Sequence, residues 1–195
     1  MIVAAPPPFV AHVTRVTRGD LPYSWRPGCP VGPAQLRRVR LAYWGFDGER
    51  HLGELVVNVR VVGDVKVVFR RIYQARFPIR RMRPIDVYKG SDRASMAADN
   101  TSAFNCRLVA VPGAKNWSMH AYGEAIDVNT VENPFVYGST VQPPAGRAYL
   151  DRSRVRPGMA VEGSVLVRAF DAVGWGWGGR WTTSRDYQHF STTGR

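Results

Sequence analysis

Ser118-Met119-His120-Ala121-Tyr122-Gly123-Glu124-Ala125-Ile126-Asp127 and, much later, Asp186-Tyr187-Gln188-His189-Phe190 are the two stretches on which the reading of this chain turns. Gly123 offers a turn, and Glu124 to Asn129 (EAIDVN) reads as a short strand with an acid in its middle. A histidine on the approach to that strand and an aspartate on it can face one point. His189 can reach the same point from a neighbouring strand, with Asp186 beside it. A site assembled this way needs short strands brought together from distant parts of the chain.

Working outward, the elements fit that picture. Glu54 to Arg60 (ELVVNVR) is β-branched and strand-like. Val61 to Ala75 shifts to helical spacing, with Val61, Val62, Val65, Val68, Phe69, Ile72 and Tyr73 on one face. Ile79 to Val87 looks extended, Gly90 to Ser102 reads as a loop or short helix, and Phe104 to Val111 as a strand. Residues 131–162 are rich in proline and glycine and read as a long excursion. Ser164 to Val173 has helical spacing and Gly174 is a natural stop. Another strand is expected around Tyr187 to Ser191. Residues 1–40, broken by Pro22, Pro27, Pro30 and Pro33, read as an irregular Pro/Gly/Arg-rich arm, leaving 41–195 as the main domain. Helices and strands do not alternate in a βαβ rhythm, so the expected class is α+β.

The chain has 195 residues, 45% of them apolar, which suits one folded domain with its own core. No apolar run approaches the roughly 20 residues of a transmembrane helix. The first residues lack a basic start and contain Pro6, Pro7 and Pro8, so they make a poor signal peptide. The formal net charge is +12, carried almost wholly by arginine. Such a surface attracts polyanions, anionic wall polymers among them. The arginines are scattered, however, and no zinc-finger, basic-zipper or RNA-binding motif is present, so no specific nucleic-acid partner is expected. Cys29 and Cys106 are too far apart in sequence for a local metal knuckle. They are inert thiols in a reducing compartment or a disulfide in an oxidising one.

Hydrolytic zinc sites use three N or O ligands, an open fourth position, and a separate carboxylate to take a proton from water. His120, Asp127 and His189 supply such a ligand set, and Asp186 the separate acid. The other histidines, His12 and His51, sit in the arm and in a charged turn and read as solvated bystanders. A His-x6-Asp pair or an Asp-x-x-His pair alone says little. The two together, with Gly123 and Ala125 inside the first and the run of glycines and Trp175, Trp177 and Trp181 before the second, say more.

The pattern Ser-x-His-x-x-Gly-x-Ala-x-Asp, followed by Trp-Gly-Gly and acid-x-x-His-Phe, resembles the VanY-type zinc D-alanyl-D-alanine carboxypeptidases. Their relatives include the D-Ala-D-Ala dipeptidases and the phage endolysins that cleave L-Ala-D-Glu bonds. The stretch from Ser95 to Arg107 (SMAADNTSAFNCR) resembles the substrate-side segment of one branch. The resemblance implies a small antiparallel sheet flanked by helices around a zinc cleft, the fold shared with the Hedgehog signalling domain. It implies His120, Asp127 and His189 as zinc ligands, Asp186 as general base and then acid, and Arg107 as the group that polarises the scissile carbonyl or holds a substrate carboxylate. Ser118 becomes a hydrogen-bonding group near the metal and Trp177 a candidate cleft residue. A Cys29–Cys106 bridge would pin the arm behind the substrate segment, as suits an extracytoplasmic or cell-wall protein whose substrate is peptidoglycan peptide. The dipeptidase branch carries Glu where this chain has Asp186, while the endolysin branch also carries Asp. The bond cut is therefore expected to be D-Ala-D-Ala or, alternatively, L-Ala-D-Glu. A wall-peptide binding module of the same fold is the alternative without catalysis.

Overall fold

The computed structural model describes residues 7–109 and 115–194. Among the described residues, three small antiparallel sheets and four α-helices make an α+β fold. The first sheet takes β1 (Ala11–Arg15), β2 (Leu36–Trp44) and β3 (Arg50–Asn58) in that order, with Val39 opposite Leu55 and Arg37 opposite Val57. Alternation along β2 and β3 turns Val39, Leu41, Leu55 and Val57 to one face, where all four are fully buried. Helices α1 (Val62–Gln74) and α4 (Val165–Asp171) pack on each other beside that face. They bury Val65, Phe69 and Ile72 from α1 and Leu166 and Phe170 from α4.

Both helices lie within a few residues of where the 3.6-residue period places them, because each has an apolar stripe and local end signals. Asn58 caps the turn entering α1 by accepting from Arg60 N, and Ser164 caps α4 by accepting from Val167 N. Past α4, Gly174 takes the left-handed conformation, φ +80°, that glycine adopts without strain.

The remaining helices and strands are short. α2 (Asp92–Ala97) and α3 (Met119–Tyr122) precede β4 (Ala125–Asp127). A hairpin of β5 (Phe135–Tyr137) and β6 (Thr140–Gln142) follows, then β7 (Gly176–Trp177), β8 (Arg185–Asp186) and β9 (His189–Ser191). β9 lies between β4 and β7, and β5 lies between β6 and β8. No helix among the described residues is long and apolar enough to cross a membrane.

The structure changes four expectations. The arm contains a strand: β1 pairs with β2 from Ala11↔Leu41 to Arg15↔Arg37, and β2 itself begins at Leu36. The supposed excursion holds the β5/β6 hairpin. Ile79 to Val87 is extended only as far as isolated bridges at Pro78 and Met82, then turns into a 3-10 helix over Ile85–Tyr88. The stretch from Phe104 keeps only an isolated antiparallel bridge, Leu108 to Trp117, because its first amides go to separate partners: Phe104 to Val56 O, Asn105 to His120 O and Cys106 to Ser24 O. The end of that expected strand, residues 110–111, lies outside the described residues.

Cys29 and Cys106 form a disulfide with Cα atoms 5.9 Å apart. Around it Val16, Leu21, Val31, Leu36, Val56 and Phe104 make a second apolar cluster, so the arm is packed onto the body. Asp86 ties it further, accepting from Tyr23 N, Ser24 N and Ser24 Oγ. Replacing Cys29 with Ser is expected to cost about 2–5 kcal/mol, the usual scale for a native bridge closing a long loop. Denaturant unfolding against the parent measures it.

A buried carboxyl pair gives the fold a pH dependence. Glu132 is 1% exposed, and Arg80 reaches both Glu132 and Asp99, at 3.5 and 3.4 Å. Burial, with the neighbouring Asp99 charge, pushes the Glu132 carboxyl up to about 7. A carboxyl raised in the folded state favours folding below its unfolded pKa and loses that contribution as pH rises through 7. Between pH 5 and 8 the protein should therefore lose stability that Glu132→Gln retains, by up to about 3 kcal/mol. Asp186 shifts in the same direction, but it is common to both proteins, so the difference between their melting curves isolates Glu132.

Candidate metal centre

His120 is the second residue of α3. Ser118 caps this single turn, its Oγ accepting from His120 N at 3.3 Å, and Gly123 ends it in the left-handed region at φ +69°. A Cβ at Gly123 would lie 2.7 Å from Asn58 N, while Asn58 N donates to Gly123 O at 2.8 Å. The glycine thus turns the chain and lets it dock on the end of β3. The next residues enter β4, where Asp127 sits opposite His189 of β9. Directly paired residues of an antiparallel ladder project to the same face, which brings these two side chains together.

The three groups converge. His120 Nε2 is 3.2 Å from His189 Nδ1 and 3.2 Å from Asp127 Oδ2, and His189 Nδ1 is 3.2 Å from Asp127 Oδ1. His120, Asp127 and His189 are 2%, 4% and 5% exposed, so little water offsets their mutual contacts. His120 Nδ1 lies 2.6 Å from the Ala103 carbonyl oxygen, an acceptor only, so Nδ1 donates there. In the neutral ring that leaves a lone pair on Nε2, directed at the other two groups. Burial alone would raise the Asp127 carboxyl, but the two imidazoles together hold it well below the usual carboxylate range. A buried carboxylate with two imidazole nitrogens is a donor set that a divalent metal ion fits. Trp181 leans over His189, ring centroids 5.4 Å apart, and its Nε1 donates to Gly194 O.

Asp186 comes from β8. Burial pushes its carboxyl up to about 6; the charge of His189 pulls against this and that of Asp127 adds to it. Its Oδ1 is buried without a hydrogen-bond partner. Gly178 makes this placement possible: a Cβ there would fall 2.6 Å from Asp186 O and 2.9 Å from its Cβ. The Trp-Gly-Gly run is therefore a close-packing device beneath the acid.

Other candidates are placed differently. Arg107 is linked to α2 by an ion pair with Asp92, Nη2 to Oδ2 at 3.2 Å, and its carbonyl accepts from Ser118 N. Ser118 acts through the backbone of His120. Trp177 does not line the metal cluster: it lies in the main core, stacked on Phe190, with Nε1 donating to Tyr187 O. Its position in β7, one strand from β4 across β9, turns the ring into the apolar interior. Trp175 is buried there too, so Trp181 is the tryptophan beside the cluster. The sequence reading missed the Ala103 carbonyl, which no side-chain pattern announces. It also missed Gln188, buried beside Met96 and acting to lower the Asp186 carboxyl; that residue could have been found from its place inside Asp-x-x-His.

Residues 112–192 match the family model described as D-alanyl-D-alanine carboxypeptidase. The matched stretch contains Ser118, His120, Asp127, Asp186 and His189, and begins after Arg107. Neither the curated proteins nor the solved structures give a match to the chain.

Proposed function

We propose that this protein is a zinc-dependent peptidase that cuts stem peptides of bacterial peptidoglycan, in the manner of a D-Ala-D-Ala carboxypeptidase. The observation that carries the reading is the convergence of His120, Asp127 and His189 within 3.2 Å, inside the stretch that matches the carboxypeptidase family. In this reading the fold is of the Hedgehog/D-Ala-D-Ala peptidase type, with residues 41–195 as the catalytic domain and the arm bracing it. The disulfide suits an extracytoplasmic location, and the basic surface favours approach to anionic wall polymers.

His120 Nε2, His189 Nδ1 and an Asp127 oxygen would hold the ion. Bound zinc supplies Lewis-acid polarisation of water and of the scissile carbonyl. Asp186 takes the proton from the attacking water and passes it to the leaving amine. Burial lifts the Asp186 carboxyl above the usual carboxylate range, which suits both duties close to neutral pH. Arg107 grips the substrate, exchanging Asp92 for a substrate oxygen. A pure binding module has no use for a buried, raised carboxyl beside its metal, and Asp186 therefore favours the enzyme.

The direct test is incubation with a stem pentapeptide ending in D-Ala-D-Ala. Release of free D-alanine that stops with chelator and returns with zinc supports the proposal; no hydrolysis by the zinc-loaded protein of this peptide or of an L-Ala-D-Glu substrate contradicts it. Arg107→Ala is expected to raise KM more than it lowers kcat if the guanidinium holds a ground-state carboxylate. Steady-state kinetics give that split, and Arg107→Lys should recover little because lysine lacks the two-pronged donor.

A further inference from the structure

A polar cleft, of about 340 Å³, lies at the end of the first sheet and is lined by Tyr43, Phe46, His51, Arg80, Arg81 and Arg83 together with Gly45 and Asp47. Its charges do not cancel. Asp47 is held by His51, Nε2 to Oδ2 at 2.9 Å, and also accepts from Glu49 N. Arg80 is committed to Asp99 and Glu132 and lies over the Phe46 ring at 3.9 Å. Arg81 and Arg83 remain. Among the described residues neither has a carboxylate within ion-pair distance, and Arg81 Nε is buried with no hydrogen-bond partner. The charge of both reaches the Tyr43 hydroxyl.

The segment that displays them is fixed. Arg80 N donates to Asn129 Oδ1, Thr101 N to Arg81 O, Glu54 N to Met82 O, and Arg83 N to Asn100 Oδ1. Gly53 lets β3 come this close, since a Cβ there would lie 2.5 Å from Met82 Cβ. His51 stacks on Tyr43, ring centroids 5.4 Å apart, and forms the opposite wall. Two uncommitted guanidinium forks on a rigid segment, in a cleft with aromatic sides, match a planar or tetrahedral oxyanion.

We infer that this cleft is a binding site for a small oxyanion-bearing ligand, a carboxylate or phosphate gripped by Arg81 and Arg83, with none of the three metal-donor residues in its lining. Calorimetric titration with inorganic phosphate and, separately, glutarate at low salt tests it. The protein binds at least one of them, and which one identifies the oxyanion. Arg81→Gln/Arg83→Gln weakens binding by about tenfold or more, as expected when charge-assisted bidentate contacts are lost. Arg60→Gln/Arg93→Gln removes the same charge from exposed positions elsewhere and changes affinity less than about twofold, the scale of a screened surface effect. Chelator leaves binding intact, so the outcome does not depend on the proposed peptidase activity. Should the double variant fail to fold, Arg83→Gln alone, at an exposed position, must still weaken binding. Equal weakening in both arginine pairs, abolition by chelator, or no binding of either probe overturns the inference.

Discussion

On the proposed reading, Asp186→Ala is expected to retain zinc and still bind substrate, while the chemical step slows by roughly 10²–10⁴-fold, the usual contribution of a positioned proton carrier. The reason lies in what Asp186 touches. It stands close enough to His189 and Asp127 for their charges to act on it, yet it is not one of the three donors that converge within 3.2 Å. Removing it should leave the ligand set in place. The pH profile gives an independent check. The base works only when ionised, and burial has raised it to about 6. Activity should therefore fall on the acid side as Asp186 takes up a proton. A bound dication favours the ionised form, so the zinc-loaded enzyme should lose activity at a lower pH than the carboxyl's own value suggests. Asp186→Ala should lack this acid limb. Hydrolysis by the variant at the parental rate would assign the base elsewhere.

His120→Ala and His189→Ala are expected to behave differently: on the same reading, each should lose both zinc and activity. Two of three donors leave a divalent ion with too few protein ligands, and the geometry of the pair is set by the backbone, not by the ion. His120 is held by the Ser118 cap and the Ala103 carbonyl, and His189 by its register with Asp127. Each variant should therefore fold, and circular dichroism should remain near that of the parent while metal analysis shows the loss. Stoichiometric zinc in both variants would refute the ligand assignment.

Much of this site could be read from the sequence because its parts are local. Ser118, His120, Gly123 and Asp127 lie within one turn and one short strand, where Ser118 caps, Gly123 turns and His120 and Asp127 converge. The helices were legible for a similar reason, since Val65, Phe69 and Ile72 repeat with the helical period. β1 was not. Four of its five residues are exposed, so the brief alternation of Ala11 and Val13 with polar residues marks no buried face, and backbone pairing to β2 makes it a strand. Long-range pairing also hid the Arg107–Asp92 contact and the Ala103 acceptor. The choice between Trp177 and Trp181 depended on which side of β9 each ring falls, and composition does not encode that. The arginines at 80, 81 and 83 looked like scattered charge until the fold placed His51 and Tyr43 across from them.

The most direct measurement of the central claim is mass spectrometry of purified peptidoglycan fragments after incubation with the zinc-loaded protein, the chelated protein and zinc-loaded Asp186→Ala. The account predicts hydrolysed stem peptides from the first sample alone, with the mass lost showing whether the cut falls at D-Ala-D-Ala or L-Ala-D-Glu. Intact fragments in all three samples, or equal cleavage with and without zinc, would contradict it.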